Sequence, residues 1–507
     1  MGKNKQLFIN LITTLFVLVI NLLINFGLSP YIVKAIGEEA YGFIQLANNF
    51  ISYATILTTA LNSMASRFIT IEIHKKNYKE ANEYFSSVLL ANIFIVLVFL
   101  IPAVVLIYFL EHVINIPINL ITDVKLLFMF ITINFFVTLI GGVFTIATYA
   151  TNKLYLTSIK NMESNFLKAL VIVALFIFFK PSVFYVGVAT LIAGIFVILF
   201  NIKFTKDLLP DIKIDKNNYK KDKVKTLLSS GMWNSITNLG NTLADGLDLI
   251  ISNLAISPFV MGLVAIAKLP GTIMNTVIAS ISNVFQPQMI TFYSKGDMDG
   301  LIEESKKSMK ISGIFGNIPF VYILVLGYGF FKIWMPDSDT WTLYILCSLT
   351  FINIFTGGLI NPLYNLYTIA NKVKENAILR IASGVVSTIL VLVMLKFTNL
   401  GAYAIVGTSA FMQIVLCFII TPLQLCFLLN LKKSTFVPII LRYNVTTLVL
   451  FIICYFVAKL FAMSSWLNVI VSIIVIGVIG LLVNYFMLLN KEDRKTLVGI
   501  LKNKLKR

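Results

Sequence analysis

The chain is 507 residues long, 58% apolar and only 13% charged, with a mean hydropathy of +0.89 and a formal net charge of +18. That balance lies far outside the range of soluble proteins and requires a bilayer as solvent. The fold class it implies is an all-α polytopic membrane protein.

Fourteen apolar runs, each close to the roughly 20 residues a helix needs to cross a bilayer, are centred near Val17, Ala54, Val96, Phe136, Ala174, Gly194, Leu243, Ile273, Leu324, Phe355, Ile389, Val415, Leu450 and Ile474. The first follows a short basic stretch, residues 1–6, and lacks a small-residue cleavage site, so it reads as a span and not as a signal peptide. It carries Asn10, Thr14, Asn21 and Asn25 but no carboxylate. The second carries Gln45, Asn48, Ser52, Thr55, Thr59, Asn62 and Ser66 at three- and four-residue steps, one face of a helix, with Arg67 closing the stripe. Arg67 reads either as a snorkelling boundary residue or as a bidentate phosphate ligand. Lys168, with Asn165 nearby in the fifth span, allows the same two readings.

Residues 203–225, between the sixth and seventh spans, interleave lysines with Asp207, Asp211, Asp215 and Asp222. This argues for a cytoplasmic topology determinant near anionic lipid heads and against a nucleic-acid partner. On the seventh span Asn234, Asn238, Asn241, Asp245, Asp248 and Ser252 recur at alternating four- and three-residue steps. Carboxylates and amides inside a span should face protein or water, so this stripe is expected to line a hydrated cavity. The eighth span returns with Lys268, Thr272, Asn275, Ser282 and Gln286. Asp245 and Lys268 lie at nearly equal depth on either side of a turn near Ser257. They read either as a structural ion pair or as an ion-coupling carboxylate (Asp245 or Asp248) and an anion ligand (Lys268).

With both ends cytoplasmic, 33 of the 41 lysines and arginines fall on the cytoplasmic side, the bias the positive-inside rule demands. Cys347, Cys417, Cys426 and Cys454 all fall within spans without paired spacing and read as core residues. His74 and His112 sit in loops on opposite sides, which leaves no histidine site. The chain also reads as a duplication. Subtracting 220 places Lys268, Thr272, Asn275, Ser282 and Gln286 on positions 48, 52, 55, 62 and 66 of the second span, and Gly141-Gly142 with Asn152-Lys153 echoes Gly357-Gly358 with Asn371-Lys372. Two parallel six-helix lobes around a central cavity are therefore expected. The lobes are residues 1–202 and 229–430, joined by a basic cytoplasmic linker at 203–228. Two further spans at 431–490 and a basic tail at 491–507 follow. Two lobes in one chain can enclose a path as a monomer. No Gly-rich phosphate loop, nucleophile elbow or His-Glu-x-x-His helix is present, and external loops are short, so no catalytic residues, metal or enzyme activity are expected.

Several stretches carry a family resemblance. They are Ile36-Gly37-Glu38-Glu39-Ala40-Tyr41-Gly42, Ser66-Arg67-Phe68, Asp248-Leu249-Ile250-Ile251 with Met261-Gly262-Leu263, the run from Pro287 to Lys295-Gly296-Asp297, and Asn371-Lys372. In that order they resemble the polysaccharide transporter family of bacterial flippases, within the multidrug/oligosaccharidyl-lipid/polysaccharide exporter superfamily. The resemblance implies translocation of a polyprenyl-diphosphate-linked oligosaccharide across the bacterial cytoplasmic membrane, with membrane lipids and polysaccharide-assembly proteins as partners. Arg67, Lys168 and Lys268 would attract the diphosphate, while Asn48, Asn62, Asn238, Asn241, Asn275 and Gln286 would meet sugar hydroxyls. Asp245 or Asp248 would couple the cycle to H+ or Na+, with no other cofactor. The alternatives are a cation-coupled drug exporter, a flippase for a lipid II-type peptidoglycan precursor and a transferase of the same pathway. The first is disfavoured by the missing carboxylate in the first span, and the last by the short external loops.

Overall fold

The computed structural model describes residues 3–245, 247–491 and 493–494, and the secondary structure found among them is helical. Twelve of the described helices are long and apolar enough to cross a membrane. Two features relate these twelve to the fourteen expected spans. At Gly37 the backbone leaves the helical region (φ 85, ψ 163), which splits one long element into α1 (3–36) and α2 (38–74). Glycine adopts that conformation without the Cβ clash other residues meet. The other is α7, formed by Lys221–Asp245 and Asp248–Ala255, which is long enough to span but too polar to count among the twelve.

The first six spans continue as α3 (Tyr78–Tyr108), α4 (Ile118–Ala150), α5 (Leu154–Phe178) and α6 (Phe184–Leu208). Beyond α7 run α8 (Pro258–Ser294), α9 (Met298–Trp334), α10 (Thr340–Ile369), α11 (Val373–Phe397), α12 (Ala402–Leu428), α13 (Val437–Ala458) and α14 (Trp466–Met487). The interruption of α7 departs from the unbroken helix expected from its polar stripe. Asp248 and Ser252 belong to a separate segment, so the six polar residues do not share one continuous face. The sequence there reads Asp245-Gly246-Leu247, and glycine weakens a helix interior by about 1 kcal/mol relative to alanine.

The chain divides into two compact units, Met1–Gly262 and Leu263–Arg507. The division falls after α7, which belongs with the first unit. Gly231 explains the fit, since a Cβ there would stand 1.9 Å from the Ala60 carbonyl oxygen of α2. The core of this unit gathers Leu61, Ala65 and Ile69 of α2 with Phe85, Val88 and Leu89 of α3, Phe144 of α4 and Leu227 of α7. Residues 209–220 are stitched to the start of α3. Asn82 donates to the Asp211 carbonyl (3.1 Å) and accepts from Lys213 N (2.7 Å), and Ser87 accepts from Lys220 N (2.9 Å). Lys223 then pairs with Glu80 and lies 4.6 Å from the Tyr84 ring centroid.

In the second unit α13 and α14 close on α9 through buried polar contacts. Asn317 and Asn484 exchange amide hydrogen bonds (2.9 and 3.1 Å), and Tyr443 Oη donates to the Gly313 and Phe355 carbonyls (3.1 and 2.9 Å). The four cysteines are buried and unbridged. Two turns recur at nearly the same spacing in the two halves of the chain. Lys76 (φ 59) and Gly296 (φ 72) both take left-handed backbone, and the next residues, Asn77 and Asp297, cap α3 and α9 by accepting from Glu80 N and Gly300 N. Asn152 (φ 55) and Asn371 (φ 56) repeat the pattern before α5 and α11, which are each 25 residues long.

Candidate functional site

The polar stripe of α2 borders a cavity of about 480 Å³ in the first unit. Thr55, Thr58, Thr59, Asn62, Ser63 and Ser66 supply one wall, and α4 supplies the other with Thr138, Gly142 and Thr145 among Phe135, Leu139 and Ile146. A Cβ at Gly142 would meet nothing within 4 Å, so this stretch of α4 leaves open space. The wall is held from behind by a pair of amides. Asn62 donates to Asn92 Oδ1 of α3 (3.1 Å), Asn92 donates back to Asn62 Oδ1 (2.9 Å), and its second hydrogen reaches the Leu139 carbonyl of α4 (3.0 Å). Asn92 is 0% exposed. A buried amide satisfied on every side fixes three helices in one register.

The amides of α7 meet the same face of α2. Asn234 donates to Ser63 Oγ and Asn238 to Thr59 Oγ1, each at 3.2 Å. These two α7 amides therefore fasten it to α2, while Asn241, further along, is exposed. Asp248 opens the outer segment of α7, is 5% exposed and is engaged by neighbouring groups, its charge acting on Tyr53 of α2. The outer end of that segment is latched. Asn253 accepts from Asn115 N (2.8 Å) and donates to the Asn115 carbonyl (3.0 Å), and Asn115 Nδ2 donates to the Asn253 carbonyl (2.9 Å). The side chain of Asp245 lies outside the described residues.

The cations predicted from sequence fall into two groups. Arg67, exposed at the end of the α2 stripe, and Lys168, half-buried within α5, have no ion pair or hydrogen bond to another described residue. Lys268 is half-buried on α8 and is engaged by a neighbouring group. Asn48 of α2 and Asn275 of α8 are exposed, and Gln286 is half-buried. The structure thus brings Asn62 and Asn238 to one face in the first unit, with Asn62 lining the cavity, and Asn48 lies on the same helix further out. Sequence reasoning missed Thr138, Thr145 and Asn92. Single polar residues among phenylalanines and leucines on α3 and α4 carry no periodic signal.

Among the described residues no three histidines, cysteines or carboxylates are grouped as a metal site. What the arrangement offers is a neutral, hydroxyl- and amide-lined recess in the first unit.

Comparison with known proteins places this geometry in a wider set. The family described as polysaccharide biosynthesis protein matches residues 7–292. An uncharacterized membrane protein, EpsK, of Bacillus subtilis (strain 168) is 26% identical over 496 residues, 96% of each chain. Among solved structures, the lipid II flippase MurJ in an inward closed conformation matches with a TM-score of 0.71 and 14% identity, covering 94% of this chain and 98% of its own. An inward-facing multidrug resistance MATE family transporter of the MOP superfamily matches with a TM-score of 0.64 and 14% identity, over 83% of this chain and 99% of its own.

Proposed function

Because the chain belongs to the polysaccharide biosynthesis protein family, we propose that it is a flippase that moves a polyprenyl-diphosphate-linked oligosaccharide from the inner to the outer leaflet by alternating access. The observation that carries this reading is the pairing of a neutral hydroxyl-lined cavity on α2 with Arg67, a guanidinium with no partner among the described residues, one residue beyond Ser66 of that lining. A lipid-linked glycan has those two demands, hydrogen bonds for a hydrated sugar and a cation for an anionic head, while its tail stays in lipid. Guanidinium suits the head because its planar donors meet phosphate oxygens in pairs. Lys168 supplies a second positive charge within the span. Asp248, buried beside Tyr53, is the carboxylate assigned to ion coupling.

The fold likeness to the lipid II flippase extends over more of this chain than the likeness to the MATE transporter. That supports a lipid-diphosphate substrate over a soluble drug. The test is flipping of a fluorescent polyprenyl-diphosphate oligosaccharide in proteoliposomes. Arg67→Asn, with folding intact, is expected to slow flipping by about tenfold or more, the scale of one charge-assisted contact. Flipping by the variant at the wild-type rate would remove Arg67 from the head-group role. Asp248→Asn is expected to abolish the response of flipping to an imposed H+ or Na+ gradient. A variant that keeps the gradient response would exclude Asp248 from coupling.

A further inference from the structure

Every threonine in the α2–α4 cavity has already committed its hydroxyl hydrogen. Thr55 donates to the Ser52 carbonyl (2.7 Å), Thr58 and Thr59 donate to the Thr55 carbonyl (3.1 and 2.7 Å), and Thr145 donates to the Gly142 carbonyl (2.7 Å). Thr138 donates to the Asn134 and Phe135 carbonyls (2.8 and 3.0 Å). A carbonyl cannot donate, so the direction of each bond is forced. Asn62 is in the same position, since its amide hydrogens go to the Thr58 carbonyl (3.0 Å) and to Asn92 Oδ1 (3.1 Å). What these side chains leave for a ligand is oxygen lone pairs. Only Ser63 and Ser66 in the lining keep a hydroxyl hydrogen outside such bonds, and no charged side chain lines the cavity.

An uncharged wall rich in acceptors matches a ligand that brings donors. The hydroxyls of a neutral sugar are donors, and each can be satisfied by a threonine oxygen. A carboxylate brings acceptors alone and would be stripped of water against lone pairs with little to replace it. A volume of about 480 Å³ lies in the range of small-molecule pockets, roughly 300–1,000 Å³. That is far more room than a bare monovalent ion needs.

We propose that this cavity is a glycan subsite that selects uncharged, hydroxyl-rich sugars and rejects uronic acids and other acidic sugars. The proposal rests on the flippase reading above and narrows its substrate. The test uses two synthetic probes with the same polyprenyl diphosphate, one carrying a disaccharide that ends in glucose and the other one that ends in glucuronate, flipped by the full chain in proteoliposomes. Wild type is expected to flip the glucose probe about tenfold faster than the glucuronate probe.

Thr55→Val with Thr138→Val removes two acceptors at nearly constant volume. It is expected to slow the glucose probe by about tenfold, the product of two modest hydrogen bonds, while the glucuronate probe changes less than about twofold. Thr138→Ser, which keeps the acceptor, should restore most of the rate in the Thr55 wild-type background, and the single Thr138→Val serves if the double variant does not fold. Equal rates for the two probes in wild type, or an unchanged glucose rate in a folded valine variant, would overturn the subsite. Flipping of neither probe by wild type would overturn the flippase reading itself, and the subsite with it.

Discussion

Single side chains in this molecule act mostly by closing hydrogen bonds that lipid cannot supply. Asn92 does this for three helices at once through Asn62 and the Leu139 carbonyl. Asn92→Leu would leave the Asn62 amide without its partner in an apolar interior. The expected loss is about 1–2 kcal/mol, read as a lower unfolding temperature in detergent. The double variant Asn62→Leu with Asn92→Leu should lose less than the sum of the two single changes, and strict additivity would show that the pair is not coupled. The sequence made Asn62 visible because six other polar residues share its face of α2. Asn92 was invisible because Val88, Leu89 and Ile93 surround it and a lone amide has no period. Asn234 and Asn238 were legible as a polar stripe. Their partners were not, because which face of α7 meets α2 depends on Gly231 allowing backbone contact at Ala60.

At the scale of elements, caps and turns set where each helix begins. Asp339 caps α10, accepting from Trp341 N (3.1 Å), Thr342 N (3.2 Å) and the Thr342 hydroxyl (2.7 Å). The Thr342 hydroxyl and backbone bonds hold its carboxyl below the ordinary value of 3.8. The cap is therefore fully present above that pH and is lost as pH falls through the lowered value. Asp339→Ala is expected to cost about 1 kcal/mol at neutral pH, seen as an earlier thermal transition. The difference from wild type should shrink on acidification below 3.8, and a gap that persists there would argue against the charged cap.

The duplicated turns supply an internal control. Lys76 holds a left-handed conformation that Gly296 takes without penalty in the other copy. Lys76→Gly is expected to stabilise by about 0.5–1 kcal/mol, and Gly296→Lys to destabilise by a similar amount. A stability loss on Lys76→Gly would show that the lysine side chain matters more than its backbone. The fourteen spans were legible because each exceeds the length a bilayer requires, and the turn recurrence because Asn and Gly mark left-handed positions. The break between Asp245 and Asp248 was not, since a single glycine is tolerated inside many helices.

For the whole molecule, we propose from the distribution of lysine and arginine that both termini are cytoplasmic. The buried native cysteines give a low labelling background for testing this. A cysteine at Ile118, 91% exposed at the start of α4, should react with an impermeant maleimide from outside intact cells. One at exposed Asn217 should react only after permeabilisation, and the opposite pattern would invert the topology.

The segment holding Asn217 also behaves unlike a tether. A lysine-rich loop between two spans would ordinarily be the first place a protease enters. Here the peptide groups of Asp211, Lys213 and Lys220 are held by Asn82 and Ser87 of α3, so the chain cannot readily extend into the active cleft of trypsin. Limited digestion of inside-out vesicles should spare 209–220. Asn82→Ala together with Ser87→Ala should turn the same connector into the main site of cleavage.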